Sequence, residues 1–353
     1  MIGIICAGQI ELSPFVKKYT KVFDDAGIKY EIIHWDRSGE ERNDQEGMYT
    51  FTSSLDRYAN KLQKLLPFIG FSKFVKRTVK ERGYEKLVIL TTQTAILIAD
   101  LLLGKYKGKY FFDYRDTSYE YIKPYAAFVN KLADKSMGVA ISSPGFKEYI
   151  KTKQNMVIAH NFQDENYEKR EVVCKKKTDG RIVMGYIGVL REFEYLKKLV
   201  SDFGNDERFE FRIHGGGDDL DRLRQYSEQF SNVLVAGAYQ EDEKRDIIDS
   251  FDMICYNYPM SFVNYPAVAN KFYDGLIMKK PMFANSRTFS GRMIDKNGLG
   301  ISIDENDSDV TEKIYNYYRE FDADEFSSNC EVFLKTVLDD EKAYIKAIEG
   351  ITV

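Results

Sequence analysis

Lys271 and Asp274 stand three residues apart in the stretch Asn270-Lys271-Phe272-Tyr273-Asp274-Gly275-Leu276-Ile277-Met278-Lys279-Lys280-Pro281. The apolar run and the Lys280-Pro281 stop predict a helix that opens near Lys271 and ends before the proline. At that spacing the ammonium and the carboxylate share one helix face near its N-terminus. That end offers free backbone N–H groups and the positive pole of the helix dipole. A cation, helix amides and an acid together can hold a diphosphate and a ribose, and so suit a nucleotide-sugar enzyme. An amphipathic helix with a solvated Lys and Asp gives the same pattern. The aromatic, proline-containing loop before it (Tyr256, Tyr258, Pro259, Tyr265, Pro266) favours the ligand site, because strand, loop and helix N-terminus is a recurrent phosphate-binding layout.

Four further groupings carry possible chemistry. Gly215-Gly216-Gly217 follows a strand-like run ending at His214. Glycines there let a ligand approach the backbone, although an ordinary strand-to-helix turn needs them equally. Asp218 and Asp219 would repel phosphate and cap the next helix, which turns the glycines toward a base or a sugar. Arg191, in Gly188-Val189-Leu190-Arg191, can fork onto a diphosphate or pair with Glu192 or Glu194. Asp113-Tyr114-Arg115-Asp116 closes another apolar run, where acids either accept from sugar hydroxyls in a cleft or cap a helix. Lys61 to Lys86 interleaves eight Lys and Arg with Leu65, Leu66, Phe68, Ile69, Phe71 and Phe74. That mixture suits an anionic membrane surface, or a helix with a buried apolar face and a solvated basic one.

Other chemistries lack their residues. His34, His160 and His214 have no metal-ligand spacing, and no G-x-S-x-G elbow occurs. Cys6, Cys174, Cys255 and Cys330 are scattered, as buried free thiols in a reducing cytosol would be. A net charge of −4 gives no general attraction to nucleic acid. The opening MIGIICAG lacks a signal peptide's basic start, and the apolar stretch Leu87 to Leu103 is broken by Thr91, Thr92, Gln93, Thr94 and Asp100. The chain is therefore expected to be cytoplasmic and not to span a membrane.

The elements that must position these groups read as two successive α/β runs, as expected for 353 residues. Strands are predicted at Ile2–Ala7, Tyr30–Trp35, Leu87–Leu90, Lys109–Asp113, Gly138–Ser142 and Met156–Ile158, with helices over Pro14–Gly27 and Thr94–Leu103. Charges crowd between Asp164 and Asp179, and the pattern restarts at Arg181. Strands then fall at Arg181–Tyr186, Phe209–His214, Val233–Val235, Met253–Tyr256 and Met282–Ala284, and the chain closes with helices over Val310–Phe321 and Asp322–Ile348. The expected division is residues 1–165, a linker over 166–180, residues 181–330, and a closing helix over 331–353 that returns toward the first domain. Ligands in such sheets bind outside the carboxyl ends of the strands.

From Gly180 to Ile303 the chain resembles the carboxyl-terminal domain of GT-B glycosyltransferases of the retaining family-four kind, found in bacterial polysaccharide synthesis. The matched landmarks are Tyr186-Ile187-Gly188 with Arg191, the triple glycine, Asn232-Val233 leading to Gly237, Asp252 to Tyr256, Asn270 to Asp274, Lys280-Pro281 and Gly298-Leu299-Gly300. The first half matches in layout, with Asp113 to Asp116 and His160-Asn161. The resemblance implies an α/β fold with two Rossmann-like domains facing each other across a cleft. It implies a UDP- or GDP-linked sugar donor, no further cofactor and no metal, and a saccharide or lipid-linked acceptor. Arg191 and Lys271 would neutralise the donor diphosphate, and Asp116 would join them in catalysis. Asp274 would hold the ribose, with Gly8, Gly188, Gly215, Gly216, Tyr265, Ala269 and Asn270 around the donor. Asp113 and His160 would lie on the acceptor side. Peripheral contact of Lys61–Lys86 with the inner face of the cell membrane would suit a lipid-linked acceptor. Such enzymes often carry a second acid eight residues before Asp274; Pro266 stands there instead. That departure keeps open a non-catalytic GT-B subunit that binds a partner or a saccharide. A GT-B sugar-nucleotide 2-epimerase, which would use the same cleft, is the other alternative, though no clear His/Glu cluster stands in the matching loops.

Overall fold

A computed structural model describes residues 1–10, 13, 15–38, 46–54, 61–162 and 172–352, with 61–64 as backbone only. The chain divides into two units, Met1–His160 with Asp339–Val353, and Asn161–Leu338. The division thus falls at His160, and residues 166–171 of the expected linker lie outside the described residues.

In the first unit, β1 (Ile2–Cys6), β2 (Tyr30–Asp36), β3 (Met48–Thr52), β4 (Lys86–Leu90), β5 (Tyr110–Tyr114), β6 (Gly138–Ile141) and β7 (Met156–Ile158) form one parallel sheet in the order β3-β2-β1-β4-β5-β6-β7. Strands β1 and β5 are buried along their whole length, the signature of a parallel sheet covered on both faces. The covering helices are α1 (Val16–Asp25), α2 (Lys61–Arg82), α3 (Thr92–Leu97), α4 (Ala99–Leu103) and α5 (Lys123–Lys135). Helix α1 buries Val16, Tyr19 and Phe23, one residue per turn, and Pro14 lies outside the described residues. Trp35 of β2 stacks on Phe71 of α2 at 5.5 Å. Helix α2 also corrects the expectation of a fully buried apolar face. Phe71, Val75 and Val79 are buried, whereas Leu65, Leu66 and Ile69 are exposed. The single helix expected over Thr94–Leu103 is two, broken at Ile98, whose backbone (φ −123°, ψ 24°) leaves the helical region.

In the second unit, β8 (Ile182–Ile187), β9 (Phe209–His214), β10 (Val233–Gly237), β11 (Met253–Cys255), β12 (Met282–Asn285) and β13 (Gly300–Ile303) form a parallel sheet in the order β10-β9-β8-β11-β12-β13. Its helices are α6 (Phe193–Gly204), α7 (Leu220–Ser227), α8 (Lys244–Asp249), α9 (Asn270–Ile277), α10 (Phe289–Lys296) and α11 (Val310–Glu320), followed by α12 (Ala323–Glu349), which matches the helix expected over Asp322–Ile348 and counts with the first unit from Asp339 on. Both sheets reverse their strand order once, between β1 and β4 in the first unit and between β8 and β11 in the second. Such switch points open a crevice at the carboxyl ends of the two central strands, and open α/β sheets bind ligands there.

Candidate active site

At the switch point of the second unit, Gly188 follows β8 and Tyr256 follows β11. Helix α9 begins at Asn270, so Lys271 falls in its first turn. Its side chain runs back over the sheet edge, and its ammonium lies 3.8 Å from the Tyr186 ring centroid, 4.4 Å from that of Tyr258 and 5.8 Å from that of Tyr256. Lys271 is only 4 % exposed, and its Nζ donates to no hydrogen-bond acceptor. Burial pushes its pKa down to about 8, against a small opposing effect of the Cys255 thiol. Three aromatic faces compensate part of the desolvation through their quadrupoles, but no carboxylate among the described residues does. A cation buried this way beside strand ends is a candidate anion site.

Two neighbours extend it. Arg191, at the exposed end of the Gly188–Arg191 loop, is close enough to lower the pKa of both Tyr186 and Tyr258, although burial raises each of them more. The backbone N–H groups of Asn270 and Lys271 open α9 with no partner among the described residues. The expectation for Ala269 needs correction: its N–H donates to the Tyr256 hydroxyl at 2.8 Å and is not free for a phosphate.

Asp274 shares the helix with Lys271 but does not pair with it. It is buried and forms an ion pair with Lys244 of α8 at 2.9 Å. Both pKa values rise: burial dominates at the carboxyl, while at the ammonium Asp274 and Glu241 together outweigh burial. The lysine that neutralises Asp274 was not singled out from the sequence. Pro266 is buried. Tyr265 is anchored from both ends, its carbonyl accepting from Phe289 N–H and its hydroxyl from Arg292. The loop that carries Tyr258 is held by side chains the sequence reading also missed. Asn285 Nδ2 donates to Tyr258 O and to Glu305, both at 3.0 Å, and Tyr195 donates to Asn257 at 2.9 Å.

The triple glycine serves the Gly188 loop directly. Gly188 N–H donates to His214 O, and Leu190 N–H donates to Gly216 O. A Cβ on Gly215 would sit 1.7 Å from Gly188 O, and one on Gly217 would sit 2.3 Å from Leu190 O. Gly215 and Gly217 are therefore required by close backbone packing. Gly216 has only the Ala238 methyl nearby, at 3.5 Å. Asp219 does cap a helix, but it is α6: its carboxylate accepts from Phe193 N–H at 3.1 Å. A cavity of about 510 Å³ opens beside this cap, lined by Glu192, Phe193, Glu194, Tyr195, Asp219 and Arg222.

The acceptor-side residues fall in the first unit, where Asp113 needs correction. It is 0 % exposed, ion-paired to Arg115 at 3.0 Å, and accepts from the Tyr19 hydroxyl at 2.7 Å. Arg115 in turn lies over the Phe15 ring. Asp113 is thus consumed inside the unit and offers nothing to a sugar. Asp116 is the exposed acid of that turn. Crowding by the protein raises its pKa, with Arg115 opposing and Asp113 adding to the rise. His160 is buried against Asp340 at 2.9 Å. Gly8 ends β1 at that unit's switch point, and a Cβ there would touch only Cys6 Sγ, at 3.8 Å.

No protein-family model and no curated protein matches the chain by sequence. Solved structures do match over its length. The Anabaena protein HepE in complex with UDP aligns with 99% of this chain and 99% of its own, at a TM-score of 0.68 and 13% identity. The lipopolysaccharide outer core galactosyltransferase WaaB aligns over 97% and 99%, at 0.66 and 14%. Sucrose-phosphate synthase from Thermosynechococcus elongatus aligns over 99% of each chain, at 0.64 and 10%. With both sheets and nearly every residue included, the chain has the two-domain α/β fold of the GT-B glycosyltransferases.

Proposed function

We propose that this protein is a glycosyltransferase that moves a sugar from a UDP- or GDP-linked donor to a saccharide or lipid-linked saccharide. The observation that carries the reading is the Lys271 ammonium, buried over Tyr186, Tyr256 and Tyr258 without a counter-ion, with Arg191 alongside and open α9 N–H groups. Breaking the sugar–phosphate bond develops negative charge on the leaving diphosphate. Fixed donors aimed at that charge lower the barrier, each typically by about 3–4 kcal/mol. Lys271 and Arg191 provide such donors, so the diphosphate leaves without a bound divalent metal. The sugar's anomeric configuration is retained, with the acceptor hydroxyl entering on the leaving-group face, and Asp116 handles protons on the acceptor side. HepE was solved with UDP, and the matching galactosyltransferase acts in lipopolysaccharide core synthesis; both fit this reading.

Exposed Leu65, Leu66 and Ile69 on the first turns of α2, followed by Lys73, Arg77 and Lys80, supply a peripheral contact with anionic lipid at the cytoplasmic face of the membrane. No described helix is long and apolar enough to cross a membrane.

The test is calorimetric titration of the whole protein with UDP and GDP, followed by product analysis with sugar nucleotides and saccharide acceptors. Binding of one nucleotide and formation of a new glycosidic bond are expected. If neither nucleotide binds, the reading is wrong. Binding with no transfer would favour the non-catalytic subunit, and an epimerised sugar formed without acceptor would favour the epimerase.

A further inference from the structure

We infer that the first unit binds an acceptor bearing an oxyanion, a phosphate or a carboxylate, at the carboxyl ends of β1, β2 and β4, and that Arg37 is the residue that reads its charge. The word acceptor rests on the transferase reading; the anion site does not.

Arg37 directly follows β2, beside the crevice between β1 and β4. Its guanidinium is fixed in place. Nη2 donates to Ala7 O at 2.6 Å and to Gln93 Oε1 at 2.9 Å, and the group lies 4.8 Å from the Trp35 ring centroid. Its Nε is buried with no acceptor, and Nη1 has no partner among the described residues. Among the described residues no carboxylate pairs with it. The adjacent Asp36 carboxylate is turned back on its own loop, where it accepts from Ser38 N–H at 2.9 Å and Gln9 Nε2 at 3.3 Å. The ionisable neighbour that acts on Arg37 is the Cys6 thiol, which burial keeps protonated. Burial itself lowers the pKa of Arg37, so the cation is partly desolvated and still unpaired.

The surroundings are those of a polar ligand site. Gly8, Gln9, Thr91 and Gln93 are all half-buried around the same strand ends. Thr91 holds φ at +74°, a region that β-branched residues avoid and that persists where surrounding structure enforces it. Two contacts hold it: Thr91 N–H donates to Asp113 O of the neighbouring β5, and Thr94 Oγ1 accepts from Ala7 N–H after β1 at 2.8 Å. The described strand ends are therefore hydroxyl- and amide-lined, and Arg37 stands among them without a described carboxylate partner. A neutral sugar would use the amides and hydroxyls alone. An oxyanion would also use Arg37, and gain about ten-fold or more in affinity from a charge-assisted bond.

The competing role for Arg37 is a brace between the β1 and β4 loops. Wild type, Arg37→Gln, Arg37→Lys and Lys271→Met, all full-length, are titrated calorimetrically with glucose 6-phosphate, glucuronate, a short-chain prenyl diphosphate and glucose, with and without UDP. At least one anion should bind wild type about ten-fold tighter than glucose. Arg37→Gln should lose that preference, Lys271→Met should keep it, and Arg37→Lys, with the charge but without both bracing bonds, should retain most of it. Which anion wins separates a free sugar phosphate, a lipid diphosphate and a sugar acid. The inference is overturned if no anion exceeds glucose, if Arg37→Gln keeps the preference, or if only Lys271→Met loses it. Should Arg37→Gln fail to fold, loss of the preference in Arg37→Lys overturns it instead. If UDP does not bind while the Arg37-dependent preference remains, the transferase reading fails and the oxyanion site stands.

Discussion

Lys271 makes a prediction in which stability and function move in opposite directions. Its pKa falls from 10.5 to about 8 on burial. At about 1.36 kcal/mol per pH unit, the charged form costs the empty protein about 3 kcal/mol. The sign follows from proton counts. Between pH 8 and 10.5 the unfolded chain holds more protons at this site than the folded one, so stability rises with pH across that window. The full cost is borne below pH 8 and has vanished above 10.5. Lys271→Met keeps the length and the apolar stem and deletes the charge. At pH ~7 the variant should be more stable by about 2–3 kcal/mol, which for a unit of this size raises Tm by roughly 4–12 °C. The gain should shrink as pH is raised toward ~10, because the wild-type lysine then loses its proton. The same substitution should weaken UDP or GDP binding by roughly two to three orders of magnitude, since an anion no longer meets the cation that was waiting for it. Thermal melts of both proteins across pH, with nucleotide titrations alongside, measure both effects. A variant that melts at or below the wild-type temperature and still binds nucleotide normally would refute the reasoning: Lys271 would then be neither frustrated in the empty protein nor part of the diphosphate site.

The remaining predictions concern groups the structure assigns to architecture. Asp113→Asn breaks the buried pair with Arg115 and weakens the Tyr19 bond, so urea unfolding should show a loss of about 3–5 kcal/mol; an unchanged midpoint would return Asp113 to the acceptor side. Lys244→Met leaves Asp274 buried without its counter-ion and should cost about 3 kcal/mol, part of which Asp274→Asn in the same chain restores; equal stability of both variants would show that the pair does not form. Gly215→Ala puts a methyl 1.7 Å from Gly188 O and should both destabilise the protein and weaken nucleotide binding by displacing the Gly188–Arg191 loop. Gly216→Ala meets nothing closer than 3.5 Å and should stay within about 0.5 kcal/mol of wild type.

How far the sequence discloses this molecule depends on how far apart the decisive partners lie. The strand and helix alternation was legible because each buried strand is a continuous apolar run, as in Ile2–Cys6 or Ile182–Ile187. The edge strand Met48–Thr52 was missed because it is only half-buried, so its composition carries no such run. Lys271 was legible as a candidate because an ionisable residue there interrupts an apolar helix. Its tyrosine floor was not, since Tyr186 lies in another strand and reaches Lys271 only through the parallel pairing of β8 with β11. Asp113 was misread for the same reason. Its type and strand-end position fit sugar binding, and only Tyr19, 94 residues away, shows that its oxygens are already used. The Ala269 amide is a shorter case, taken by a hydroxyl 13 residues earlier that no helix rule anticipates.

The two candidate sites share a logic that net charge hides. The chain is acidic overall, at −4, and several of its less exposed cations meet a carboxylate. Lys18 meets Glu341, Arg82 meets Glu31, Arg115 meets Asp113, Arg208 meets Asp206 and Lys244 meets Asp274. Lys271 and Arg37 stand apart: Lys271 lies at its sheet's switch point and Arg37 one strand from its own, each is partly or wholly desolvated, and neither has a carboxylate partner among the described residues. In a water-poor crevice a single unmatched charge exerts more force than the same charge on the surface. If both proposed sites hold anions, adding an acid at either, as in Cys255→Asp beneath Lys271, should silence that site while leaving the other untouched.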